Sequence, residues 1–178
     1  MGTRSTISIH QKDSIIKSVY CHYDGYYEHN GVILYNFYDT PEKVQELISY
    51  GDMSSLGTSI GKKHDFNDFY YGCTFYHRDR DEDLSINKYV IKNENIPYNR
   101  IYEEEYNYIF LEETQEWIVK KEFAKYYKLE EIFDRINLNE WAINVNDKEQ
   151  YEKLIEFYKK FGKSDMKIPT FEEVKYEI

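Results

Sequence analysis

Apolar and polar residues alternate from Thr3 to Ile9, with β-branched side chains at Thr3, Thr6, Ile7 and Ile9, the period-two pattern of a half-buried strand. Gln11-Lys12-Asp13-Ser14 supplies a polar turn and Ile15 to His22 resumes the extended pattern, so the chain is predicted to open with a β-hairpin. Asp24-Gly25 marks a tight turn at its exit. The period then becomes helical between Glu28 and Tyr38, where Val32, Tyr35 and Asn36 share a face. Thr40-Pro41 starts a second helix: the Thr40 hydroxyl caps it, and Pro41 takes the first helical position, where no backbone N–H is needed. Val44, Leu47 and Ile48 form its apolar face and Gly51 ends it.

Serines and glycines from Asp52 to Asn67 read as a loop, and the aromatic run Phe69 to Tyr76 reads as a strand that leads into the charged segment Arg78 to Asp83. Tyr106 to Leu111 and Glu116 to Lys120 make a second hairpin through Glu112-Glu113-Thr114-Gln115. Phe123 to Ile136 and Asp147 to Phe161 carry helical periodicity, the latter with Tyr151, Leu154, Ile155, Tyr158 and Phe161 in one stripe. Gly162 closes that helix, and residues 162–178, with Pro169, are expected to form a loosely attached tail. The architecture expected is α+β: an antiparallel sheet built from two hairpins, with helices packed on one face. Residues 1–178 form a single domain on this reading, with about 121–161 as a helical extension. No Gly-rich phosphate loop stands at a strand-to-helix junction, which disfavours a doubly wound sheet.

Charge narrows the classes of partner. Acidic residues number 33 and basic ones 23, a net charge of −10, so direct binding to nucleic acid phosphates is not expected and a basic partner is easier to accommodate. The longest apolar runs, such as Gly31-Val32-Ile33-Leu34-Tyr35, fall far short of the ~20 residues that span a bilayer, so no membrane role is expected. A basic segment followed by an apolar stretch is lacking at the start, and two cysteines, Cys21 and Cys73, read as free thiols of a reducing compartment, so a cytoplasm is expected. Met1-Gly2-Thr3-Arg4-Ser5-Thr6 fits the loose N-myristoylation pattern, but Ile7 and Ile9 read as an immediate strand. The 20 tyrosines and 10 phenylalanines have two explanations: the codon bias of an AT-rich genome, and a recognition surface rich in amphipathic rings.

Two segments carry candidate chemistry. In Tyr20-Cys21-His22-Tyr23-Asp24-Gly25-Tyr26, strand alternation puts His22 on one face with Tyr20 and Asp24. His22 is then either a proton carrier oriented by Asp24 or a loop-holding hydrogen-bond partner. In Tyr76-His77-Arg78-Asp79-Arg80, two arginines on one strand face suit a phosphate or carboxylate, and the neighbouring acids equally describe a self-compensating charge run. Cys21, His22, Cys73 and His77 are zinc-ligand types at poor spacing, so no metal and no cofactor is expected. Signatures of serine and cysteine hydrolases, kinases, P-loop enzymes and zinc proteases are lacking.

The segments Met1 to Ile7, Val19 to Tyr26, Leu47 to Gly57 and Thr74 to Arg80, with Tyr108-Ile109-Phe110 and Glu116-Trp117-Ile118-Val119, resemble a widespread group of small, largely uncharacterised proteins of tailed phages and prophages. The resemblance covers about residues 1–120; where the group usually has a glycine after the second arginine, this chain carries Asp81. It implies a phage accessory protein that counters host defence by binding a host defence protein, for instance as an acidic mimic of DNA, rather than by turnover. The alternative is a binder or hydrolase of a small anionic, nucleotide-like ligand such as a defence signal. For that ligand the candidate residues are Arg4, Tyr20, His22, Asp24, Tyr26, Tyr76, Arg78, Asp79 and Arg80.

Overall fold

Both expected hairpins form, but they join in a way that local pattern does not specify. In a computed structural model of the chain, which describes residues 2–68, 71–91, 101–122 and 124–176, β1 (Ser5–His10) and β2 (Ile15–Cys21) pair antiparallel, as do β6 (Tyr106–Leu111) and β7 (Glu116–Lys121). Short turns leave no other option within a hairpin. Between the hairpins, β1 and β6 run parallel, in register from Ser5 opposite Tyr106 to His10 opposite Leu111. The sheet is therefore mixed, not the antiparallel sheet expected from two hairpins, because the long connection from β2 to β6 returns the chain to the end at which β1 began.

That connection also adds strands. Met53–Ser55 (β3), inside the expected loop, lies parallel to β2 with Met53 opposite Cys21, and Thr74–Phe75 (β4) pairs with it. Asn87–Val90 (β5) pairs with the other half of β2, and Tyr127–Lys128 (β8) extends the sheet beyond β7. The expected strand at 69–76 thus shrinks to β4, with Phe69 and Tyr70 outside the described residues. Likewise the helix expected from Phe123, itself outside them, begins only at Leu129.

A π-helical turn, Tyr27–Gly31, leads into α1 (Val32–Phe37). Next, α2 (Pro41–Ser49) is capped as its sequence dictates, with the Thr40 hydroxyl accepting the Lys43 amide at 3.3 Å. Three further helices are α3 (Tyr76–Arg80), α4 (Leu129–Arg135) and α5 (Lys148–Phe161); the last is capped by Asp147, whose carboxylate accepts the Gln150 amide at 2.8 Å. The segment expected as a loose tail instead docks. Thr170 and Glu173 form a capping box for α6 (Phe171–Val174), Val174 is buried, and Val145 donates its amide to the Val174 carbonyl while its own carbonyl accepts the Tyr176 amide. No helix among the described residues is long and apolar enough to cross a membrane.

The helices bury their apolar residues against one face of the sheet, with Ile7, Ile9, Val19, Cys21, Tyr108, Phe110 and Val119. The back face differs. A small cluster around Ile16, Ile101 and Ile109 covers part of it, and beside this lies a buried polar ladder. Ser8 and Ser18, opposite each other in register, bond at 2.7 Å, and the Thr6 hydroxyl donates to Asn107 Oδ1 at 2.9 Å across the parallel join. Asn107 also accepts the Glu104 amide and donates to the Glu104 carbonyl, both at 2.8 Å, fastening residues 103–105 against the sheet. Replacing Asn107 by alanine leaves the Thr6 hydroxyl and the Glu104 amide without their acceptor, and should lower stability by about 1–3 kcal/mol. Urea unfolding measures this, and an unchanged midpoint would show that the ladder does not stabilise the fold.

Candidate functional site

At the N-terminal end of β1 the back face opens into a concave pocket of about 340 Å³. Thr6 and Ser18 contribute buried polar groups, Tyr20 and Asp52 come from the β2–β3 side, and Tyr102 and Glu104 come from the segment that Asn107 holds. Exposed Arg4 also lines it. Asp52 accepts the Tyr20 amide at 2.9 Å, and burial pushes its carboxyl above the ordinary range against that hydrogen bond. The Tyr102 hydroxyl donates to Glu104 at 2.6 Å, which raises its pKa.

Two of the residues singled out in the sequence, Arg4 and Tyr20, line the pocket, and His22 adjoins it through Tyr20. The Tyr20 hydroxyl stands 2.7 Å from His22 Nδ1, and the positive charge of the nearby Arg4 guanidinium opposes the rise in its pKa that burial causes. The ring of Tyr23 packs edge-on against His22 at 4.5 Å between centroids. Asp24 does not orient His22: the strand ends at Cys21 and Asp24 turns the chain with φ 59°, so the alternation expected to put them on one face stops short. Its carboxylate instead accepts from Tyr26 at 3.4 Å. Tyr76 is close by, its amide bonded to the Asp52 carbonyl, but it does not line the pocket.

Arg78, Asp79 and Arg80 are elsewhere, and their expected geometry is corrected. They sit on α3, not on a strand, so the two arginines diverge. Arg78 is used inside the protein: its guanidinium donates to Asp79 at 2.9 Å, to the carbonyls of Ile60 and Gly61 at 3.1 and 3.2 Å, and to the Cys73 carbonyl at 2.8 Å. The Asp79 side chain is 0% exposed and also accepts the amides of Phe75 and His64. Burial alone would raise its carboxyl; Arg78 and those amides hold it below the ordinary range. Arg80 pairs with Glu82 and lies over the rings of Phe66 and Tyr76 at 4.3 and 4.8 Å. Asp81, at the C-terminus of α3, takes the left-handed conformation (φ 55°) that glycine adopts without strain.

Both cysteines are buried and free. Burial pushes the Cys21 thiol up to about 12, against a hydrogen bond from buried Asn30, and raises Cys73 as well. Among the described residues no group of three or more His, Cys, Asp and Glu is placed to hold a metal ion. Asn30, Asp52, Tyr102 and Glu104 were not singled out in the sequence. Asp52 follows the helix-ending Gly51, a cue to a turn but not to a pocket, and Tyr102-Glu103-Glu104 looks locally like any charged loop. Compared with known proteins, the chain matches no family model, no curated protein and no solved structure.

Replacing Arg78 by alanine strands a buried carboxylate and should cost about 3–5 kcal/mol. A depressed carboxyl stabilises the fold fully above its unfolded pKa, near 3.9, and loses that contribution as pH falls through the folded value. Acid unfolding of Arg78→Ala should therefore begin at higher pH than in the parent, followed by circular dichroism; coincident acid transitions would refute the clamp. The thiols give a separate check: iodoacetamide should label Cys21 and Cys73 only after denaturation, and labelling of Cys21 in the folded protein would contradict its burial.

Proposed function

We propose that the protein is a phage accessory protein that counters a host defence system by binding a host protein, and that it binds through the surface running from Tyr102 through Arg4, Tyr20 and His22 to Tyr23. The observation that carries this reading is the continuity of that surface. Tyr102 and Tyr23, 58% and 46% exposed, stand at its two ends; Arg4 and Tyr20 line the pocket with Tyr102, and His22 joins Tyr20 to Tyr23 by contact. Tyrosine and arginine are the residues that most often carry binding energy at interfaces, where rigid rings give contact area at low entropic cost. The net charge of −10 favours a partner with a basic surface by steering the encounter.

A small ligand in the same pocket is the second reading, and its concavity and polar lining favour it. A polyanionic signal is a poor match, because Asp52 and Glu104 oppose the single guanidinium of Arg4, and of the other two expected grips Arg78 is saturated by internal bonds and Arg80 is paired with Glu82. The test is plating efficiency of phages on host strains that each carry one defined defence system, with and without this protein. Plating should be restored against at least one system. The double variant Arg4→Ala, Tyr102→Ala should weaken binding by about 2 kcal/mol or more, roughly thirtyfold, and abolish the rescue while remaining folded. Lack of rescue against every system would overturn the anti-defence reading; rescue that survives the double variant would overturn the surface.

A further inference from the structure

The pocket at the N-terminal end of β1 is lined by charges of both signs that do not neutralise one another. Asp52 and Glu104 line it together with Arg4. Among the described residues, however, no carboxylate stands at ion-pair distance from the Arg4 guanidinium, and no cation stands so near Asp52 or Glu104. Residues close by in the sequence behave differently: Glu103 is taken by Lys120 at 2.8 Å, outside the pocket lining.

Other bonds keep the three charged residues apart. Asp52 accepts the Tyr20 amide at 2.9 Å, and its own amide donates to the Ser85 carbonyl at 3.1 Å. Glu104 accepts the Tyr102 hydroxyl at 2.6 Å, and its amide is bonded to Asn107 at 2.8 Å. The Arg4 carbonyl accepts the Tyr106 amide at 3.3 Å, which fixes that residue at the start of β1. Each charge is thus tied to its own wall. Burial already works against the charged form of Asp52, a cost that a cation in the pocket would offset.

We propose that this pocket binds a free α-amino acid as its zwitterion, with the carboxylate on Arg4 and the ammonium on Asp52 and Glu104. The inference rests on the small-ligand reading of the same pocket and names the class of ligand. Unlike charges held apart around one cavity are complementary to a molecule that carries both. The guanidinium fork matches a carboxylate in two parallel bonds, and an ammonium has three donors to share between two carboxylates. A simple amine or a simple acid would leave one sign unmet. The buried hydroxyls of Thr6 and Ser18 face the same cavity and serve the ligand's remaining polar atoms. A volume of about 340 Å³ lies at the low end of small-molecule sites, which suits one amino acid and not a peptide.

The test is a ¹⁵N-correlation NMR titration of the full chain with each of the twenty common amino acids. For any that binds, the corresponding decarboxylated amine and the acid lacking the amino group follow. At least one amino acid should shift the amides of Tyr20, Asp52 and Glu104 saturably, and both one-charge analogues should bind about tenfold more weakly or worse. Arg4→Gln should weaken the amino acid by a similar factor and leave the amine unchanged. Asp52→Asn, which keeps an acceptor for the Tyr20 amide, should weaken the amino acid and the amine and leave the acid unchanged. A general loss of structure would not produce these opposite selectivities. The proposal is overturned if no amino acid shifts those amides, if the amine or the acid binds as tightly as the amino acid, or if Arg4→Gln binds like the parent. A second set of neutral sugars and nucleosides separates the two levels of the reading. A shift from this set alone would overturn the zwitterion and keep a small-ligand pocket, and silence from both sets would overturn both. None of these outcomes depends on the plating result.

Discussion

Because β1 and β6 are buried on both faces, polar side chains on their back face have no water to turn to and must bond to one another across the parallel join. Thr6 meets Asn107, and Ser8 meets Ser18 one strand over. Those bonds settle register, since a slip of β6 by one residue would carry Tyr108 to the polar side and Asn107 into the helix-covered core. The same asparagine then holds residues 103–105, so the wall of the candidate pocket is a direct extension of the bond that aligns the two hairpins.

The segments that stand out in the sequence converge at one end of this sheet. His22 and Tyr23 donate their amides to Met53 and Ser54, and Gly25 donates to Thr3 while its carbonyl accepts from the buried Tyr108 hydroxyl. Approach is so close that a Cβ on Gly25 would stand 2.8 Å from the Thr3 carbonyl, and one on Gly57 2.5 Å from the backbone of Gly72. Much of what makes these segments distinctive is thus backbone packing, and the chemistry is left to the few side chains at the edge: Arg4, Tyr20, His22, Asp52 and Glu104.

Elements with local cues were legible in the sequence. Thr40-Pro41 and Asp147 cap helices where their side chains can reach the third amide, and the turns at 11–14 and 112–115 close hairpins because each is short. The parallel join was not legible, since no local pattern distinguishes a strand that will have a parallel neighbour from one that will not. Arg78 and Arg80 were misplaced for a related reason. Two arginines at spacing two share a face only if the backbone is extended, and here Phe75 is the last extended residue before the chain coils into α3. Glu104 is fastened locally, by Asn107 three residues on, but what makes it a pocket residue is the parallel join that lays this segment beside β1, information that resides in tertiary contact.

The Arg78 guanidinium touches the carbonyls of Ile60, Gly61 and Cys73 at once, while Asp79 holds the His64 and Phe75 amides. The loop before β4, β4 itself and α3 therefore share one fastening and form a single cooperative unit. Such a unit opens as a group, with its amides exchanging together at one free energy below that of global unfolding, while the strands on either side of the parallel join stay protected.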